Sequence, residues 1–249
     1  MQRFAGKVVL ITGAGSGIGE ATALRIAEEG GLIAAVDVNA DSVGRSVHNL
    51  REKGFTAEAF TCDVSQPDQV KATVNAVVEH YGKLDSLCNV AGILRVAHSH
   101  EVSLEQWNQI IAINLTGTFL MCQAAIPHLI ATRGTIVNTA STAALGRHPW
   151  MAAYAASKGG VISLTKCLSL EYIRQKLNVN VVIPGGFATP LQGEFGIPDG
   201  ADGSLIQGAM PKVRMGKPDQ AAAVIAFLAS SDARYMHGTE VLVDGGAMV

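Results

Sequence analysis

In the stretch "AYAASKGG" (residues 153–160), Tyr154 and Lys158 stand four residues apart in a run of helical character, so both side chains fall on one face. An ammonium group beside a phenol favours the phenolate and lowers a pKa whose ordinary value is about 10. Such a phenol can act as a general acid and base near neutral pH. Taken alone, the two residues read more readily as an ordinary exposed i,i+4 pair. Ser141, thirteen residues earlier, ends a β-branched run, and its hydroxyl could reach the same cleft.

A second candidate lies near the start of the chain. "VLITGAGSGIGEA" (residues 9–21) places four glycines within seven positions, between an apolar run and a helix-like one. Glycine inside regular structure costs backbone entropy, so such a cluster implies a very tight turn or a close approach to the main chain. Where a strand runs into a helix, free N–H groups and the helix dipole make an anion site. Missing side chains at Gly13, Gly17 and Gly19 would let a pyrophosphate reach the backbone; tight packing with no ligand is the plainer alternative. Asp37, about 20 residues on, ends the next apolar run, where a carboxylate can accept both hydroxyls of an adenosine ribose. By itself Asp37 could be only a turn residue. A 2′-phosphate would meet Asp37 with no cation nearby, since the neighbours are Ser16, Val38 and Asn39. The expected cofactor is therefore NAD(H) and not NADP(H).

These residues need a scaffold, and the chain supplies an alternation of short β-branched runs and longer helical segments. The strands read as 7–12, 32–37, 56–63, 84–89, 134–141, 178–183 and 239–244. Helical stretches follow from Gly17 to Glu29, on to Lys53, from Pro67, from Leu104 and from Met151. Several strands are almost continuously apolar, as strands buried on both faces of a parallel sheet are. Strand–helix alternation with short links gives an α/β, doubly wound fold. Between Pro184 and Pro218 the pattern lapses, which marks a functional or disordered loop. Pro127 is expected to kink or end its helix.

The 249 residues suit one large domain, and 48% hydrophobic against 16% charged residues suits a well-buried core. A formal net charge of −2 gives no reason to expect nucleic acid or an anionic membrane as partner. No apolar run reads as long enough for a membrane span, and there is no signal-peptide layout. Cys62, Cys88, Cys122 and Cys167 have neither zinc spacing nor a disulfide framework, which suggests reduced thiols in the cytoplasm. No metal is expected: His98 and His100 have no third ligand at suitable spacing and read as an exposed loop pair.

Over its whole length the sequence resembles the short-chain dehydrogenase/reductase family. The resemblance rests on "TGAGSGIG" (12–19), "CDV" (62–64), "NVAG" (89–92), Asn114 in "INLTG", Ser141, "YAASK" (154–158), "PGGFAT" (184–189) and "VDGG" (243–246). It implies a single Rossmann-type domain over residues 1–249, with a seven-stranded, mainly parallel sheet of order 3-2-1-4-5-6-7. It implies a catalytic tetrad in which Tyr154 exchanges the proton with the substrate oxygen and Ser141 hydrogen-bonds that oxygen. Lys158 would bind the nicotinamide ribose and depress the tyrosine pKa, and Asn114 would hold a water in a relay to solvent. The dinucleotide would meet Gly13, Ser16, Gly17, Ile18 and Gly19 at its phosphates, and Asp37, Asp63 and Val64 at its adenosine. Asn89, Ala91 and Gly92 would line its path, and the run Pro184, Gly185, Phe187 to Thr189 would hold the carboxamide. Val90 replaces the family's usual second asparagine, and Phe187 stands where Val or Ile is usual.

The implied reaction is hydride transfer between a nicotinamide and a secondary alcohol or ketone. Sugar-nucleotide epimerases can share the Tyr–Lys pair but tend to be longer and to space their glycines differently. An acyl-carrier reductase would want NADPH, which Asp37 opposes, and a non-catalytic dinucleotide-binding protein would be expected to lose the tetrad. The substrate pocket is expected to be apolar, built from Leu94, Leu145, Trp150, Phe187, Leu191, Phe195 and Ile197 with few charges (Arg95, Arg147, Glu194). Residues 187–211 are expected to form a lid. "RHPW" (147–150) reads equally as a surface loop or a substrate wall. The two long helices carry surplus apolar residues, and "VISLTKCLSLEY" (161–172) and the C-terminal "VDGGAMV" resemble the family's two usual interfaces, which implies a homotetramer.

Overall fold

The computed structural model describes all residues except Met1, Arg147 and Glu194; the two expected pocket charges Arg147 and Glu194 thus lie outside the described residues. Seven strands form one parallel sheet in the order β3-β2-β1-β4-β5-β6-β7. They are β1 (Val8–Thr12), β2 (Leu32–Asp37), β3 (Ala57–Thr61), β4 (Ser86–Asn89), β5 (Thr135–Thr139), β6 (Asn178–Pro184) and β7 (Glu240–Val243). The connecting helices are α1 (Gly17–Glu28), α2 (Ala40–Glu52), α3 (Pro67–Tyr81), α4 (Leu104–Ile111), α5 (Gly117–Thr132), α6 (Ala152–Glu171), α7 (Pro190–Gly193) and α8 (Pro218–Ala229).

Alternation along the central strands explains why both faces must be covered. Val9 and Ile11 of β1 join one core with Ala23 and Ile26 of α1 and Ile225 of α8. Val8 and Leu10 point to the other side, into a core with Val74 of α3 and Met121 and Leu129 of α5. Strand order reverses between β1 and β4, so the chain leaves these neighbours in opposite directions and a crevice opens at their carboxyl ends. The opposite end of the pair is tied by Asp85, which accepts from the Val8 N–H and from the Lys7 and Lys83 ammonium groups, each at 2.9 Å. Burial pushes its carboxyl upward, but these three donors outweigh that and hold it below the ordinary value.

The helix beginning at Leu104 departs from its expected form. Between α4 and α5 the rod carries one π-helical turn, Ala112–Thr116, in which the Gly117 N–H reaches the Ala112 carbonyl. Pro127 does not end α5, which continues to Thr132. The rod Leu104–Thr132, with a mean hydropathy of 1.5 over 18 residues, is long and apolar enough by composition to cross a membrane, which corrects the expectation that no stretch is. It packs inside the protein: α5 buries Met121, Cys122, Ala125, Ile126 and Leu129 against α3 and the sheet. The lapse after Pro184 contains the short helix α7 and a 3-10 turn at Gly203–Ala209.

Candidate active site

At the crevice the β1–α1 junction is shaped by what its glycines lack. Gly13 has a φ of +68°, and a Cβ there would stand 3.0 Å from the Ala91 backbone. A Cβ on Gly19 would stand 2.0 Å from the Gly13 carbonyl, so no side chain fits between turn and helix. Thr12 joins the two strand ends by accepting from the Val90 and Ala91 N–H groups at 3.0 and 3.1 Å. Ser16 precedes α1 but makes no side-chain cap, which leaves the first-turn N–H groups without that partner. Asp37 is fixed from both sides: one carboxylate oxygen accepts from the Gly15 N–H and the other from Asn39 N–H, each at 3.0 Å.

These residues line one cavity of about 560 Å³ that continues to Ser141, Tyr154 and Lys158. Gly13, Ser16, Gly17, Ile18, Gly19, Asp37, Asp63, Val64, Ala91, Gly92, Pro184, Gly185, Phe187 and Thr189 all face it. Asn89 and Asn114 do not. The Asn89 amide donates to Asn138 Oδ1 at 2.9 Å and to Cys122 Sγ at 3.4 Å, behind the wall. Asn114 lies in the π turn, fully buried, and exchanges two hydrogen bonds with the Ile93 backbone while its amide also donates to Ser157 Oγ. Its side chain therefore clamps the β4–α4 segment against α6.

Lys158 is 3% exposed, and its Nζ donates to the Thr139 carbonyl at 2.8 Å. The same atom lies 5.8 Å from the centre of the Tyr154 ring. Burial pulls the Lys158 ammonium down to about 8. Tyr154 differs from expectation: burial pushes its phenol up, and a hydrogen bond with Ser141 only partly offsets this. At 5.8 Å from the ring and directed at a carbonyl, the Lys158 ammonium does not reverse the effect of desolvation on the phenol.

The fourth side of the cavity comes from chain segments far apart in sequence. Leu94, Met151, Tyr154, Ile206 and Ala209 form a small buried core with Leu191 and Phe195 packed on it. Leu191, Phe195, Ile206 and Ala209 thus roof the tyrosine end. Of the expected pocket residues, Leu94, Phe187, Leu191 and Phe195 line the cavity. Leu145 and Ile197 are instead exposed, and Trp150, with an unusual φ of +63°, packs beside the roof without lining it. Residues the sequence did not single out, Thr139, Met151, Ile206, Met210 and Met215, take their places. Among the described residues of 148–150, His148 lines the cavity, while the His98 ring turns to the Asp199 carbonyl at 3.1 Å.

The donor set fits a nicotinamide dinucleotide. The glycine cradle and open helix start suit its phosphates, the anchored Asp37 suits a ribose diol, and the buried Thr139 hydroxyl beside Lys158 has no protein partner. Buried Cys88 and Cys122, pushed up to about 12 by desolvation, offer no thiolate.

A pH dependence of stability follows from Lys158. Its pKa is about 8 when folded against 10.5 when free, so the cost of folding around the charged amine is full below pH 8. That cost is relieved as pH rises through about 8 towards 10.5. In denaturant titrations from pH 7 to 10, the stability of the native protein relative to Lys158→Met should rise by up to about 3 kcal/mol. A flat difference would show that the amine ionises in the fold as readily as in water.

Residues 7–198 match the short chain dehydrogenase family model. The chain is 40% identical to a D-threitol dehydrogenase of Mycolicibacterium smegmatis, over 98% of this chain and 94% of that protein. It is 39% identical to a 3-oxoacyl-[acyl-carrier-protein] reductase of Thermotoga maritima, over 99% of this chain and 100% of that one. Among solved structures it superposes with a TM-score of 0.90 on a 3-ketoacyl-(acyl-carrier-protein) reductase from Brucella melitensis complexed with NADH, at 35% identity over 98% of this chain and 99% of that one. With this sheet order, this cleft and these full-length relatives, the chain belongs to the short-chain dehydrogenase/reductase family of NAD(P)-dependent oxidoreductases.

Proposed function

We propose that this protein is an NAD(H)-dependent dehydrogenase/reductase that interconverts a secondary alcohol and a ketone with a largely apolar body. The observation that carries the reading is the meeting of Ser141, Tyr154 and Lys158 at one end of a cavity whose other end is Asp37 and the glycine turn. The bound dinucleotide supplies hydride exchange with the substrate carbon. Ser141 and Tyr154 hold the substrate oxygen between two hydroxyls, and Tyr154 gives it a proton in reduction or takes one in oxidation. The upward shift of the phenol suits the first role. For the second, the Lys158 ammonium lowers the cost of forming the phenolate, and the oxidised ring of a bound cofactor would add to this. Asn114 acts by positioning, through its clamp on Ile93 and Ser157, and keeps the floor of the cleft next to Lys158 in place.

Asp37 supports NAD(H) over NADP(H). The described lining around it, Ser16, Gly17, Val38, Cys62 and Asp63, carries no cation to offset a 2′-phosphate. A second reading, a 3-oxoacyl-carrier reductase using NADPH, draws on the full-length likeness to the Thermotoga protein. Free cysteines support a cytoplasmic setting. Exposed Leu104, Phe119, Leu170 and Ile173 on or beside the two long helices support a homotetramer.

Three measurements test these readings. The native protein should prefer NAD(H) by about ten-fold or more in kcat/KM, and Asp37→Ala should narrow the gap; equal use of NADPH would favour the acyl-carrier reading. Tyr154→Phe should lose about 10²- to 10⁴-fold in turnover with NADH affinity little changed, and retained turnover would remove the phenol from the mechanism. Light scattering at micromolar concentration should give four times the 26.0 kDa chain mass, and a monomer would end the assembly proposal.

A further inference from the structure

We infer that Thr142 and His148 form a subsite for a second hydroxyl of the substrate, so that diols are preferred over mono-alcohols of the same carbon skeleton; this rests on the dehydrogenase reading above. The described wall around the tyrosine end is otherwise mostly apolar, with Leu94, Met151, Phe187, Leu191, Phe195 and Ile206. Thr142 directly follows Ser141 at the start of a 3-10 turn, and Ser141, Thr142 and His148 all line the cavity, so this polar pair lies on the same wall as the group that meets the reacting oxygen.

The orientation of the imidazole fixes what it can offer. His148 Nδ1 lies 2.8 Å from the Gly146 carbonyl, which can only accept, so Nδ1 carries the proton. Burial disfavours the imidazolium, so Nε2 is a bare acceptor. Its protein partner is Thr142 Oγ1 at 3.3 Å, long for a hydrogen bond from a hydroxyl. A second hydroxyl can enter there with both its functions satisfied: it donates to Nε2 and accepts from the Thr142 hydroxyl. A carbonyl could use only the threonine, and an alkyl group neither. The gain is one good hydrogen bond over the weak contact it replaces, which corresponds to about ten-fold in kcat/KM. Discrimination is no greater, because without the second hydroxyl the two side chains still satisfy one another.

The test compares kcat/KM for 2,3-butanediol against 2-butanol, and for trans-1,2-cyclohexanediol against cyclohexanol. It uses the native protein, Thr142→Val and His148→Phe, with thermal melts and NADH binding recorded for each variant. The native protein should favour at least one diol by about ten-fold, and both variants should lose several-fold more efficiency on that diol than on its mono-alcohol. Equal efficiency of the native protein on diols and mono-alcohols would overturn the subsite and leave the dehydrogenase reading standing. A diol preference that survives in folded, NADH-binding variants would do the same. Failure of the native protein to oxidise any of the four with either nicotinamide cofactor would overturn the dehydrogenase reading and the subsite with it.

Discussion

An ammonium group buried almost completely, with a backbone carbonyl as its hydrogen-bond partner, is costly unless its surroundings are held rigidly. Lys158 is in that position, and much of the architecture at the cleft serves to keep it there. The carbonyl belongs to Thr139 at the end of β5, a central strand fully buried on both faces. A Cβ on Gly92 would stand 3.3 Å from Nζ and 3.2 Å from Asn114 Oδ1, so the space beside the amine is kept clear by a missing side chain. The π turn carries Asn114 to the same point. It can approach α6 closely because Gly160 offers only backbone to Leu115, whose methyl would lie 2.6 Å from a Cβ there.

The same arrangement separates two electrostatic tasks along one cavity. At the adenosine end, donors and a fixed carboxylate belong mainly to backbone and to Asp37, and rigid main chain sets their positions. At the tyrosine end, ionisable side chains sit among apolar ones, and desolvation moves the phenol up and the amine down. The two shifts invert the free order and widen the gap: the amine, ordinarily the weaker acid at 10.5 against 10.0, falls to about 8 while the phenol rises. A proton passed from the Lys158 ammonium to the phenolate, through solvent or substrate, then runs downhill, whereas the reverse transfer costs more than between the free side chains.

Much of this was legible in the sequence because it depends on local rules. Buried strands such as "VVLIT" announce a two-faced sheet, and a glycine cluster between strand and helix announces a close approach. Tyr154 and Lys158 are joined by helical spacing alone. What could not be read depends on contacts distant in the chain. The π turn adds one residue to a helix at small local cost, and packing of Leu115 on Gly160 decides where. The direction of the Asn89 side chain depends on Asn138, and the places of Met210 and Met215 in the cavity wall depend on packing far from any motif. The upward shift of the Tyr154 phenol is not legible from spacing, because desolvation is a property of the assembled cleft and not of a residue pair.

Behind the cleft, Asn89 donates to Asn138, Asn138 donates to Thr165, and Thr165 donates to the Val161 carbonyl, so one buried polar line runs from β4 through β5 into α6. Each of these side chains is the answer to its neighbour's need for a partner, and none faces the ligand cavity. Replacing one strands a donor or an acceptor in the interior, whereas a matched exchange of two can restore the balance. The line therefore imposes epistasis: the order in which these positions can change is constrained, even though no one of them touches a substrate.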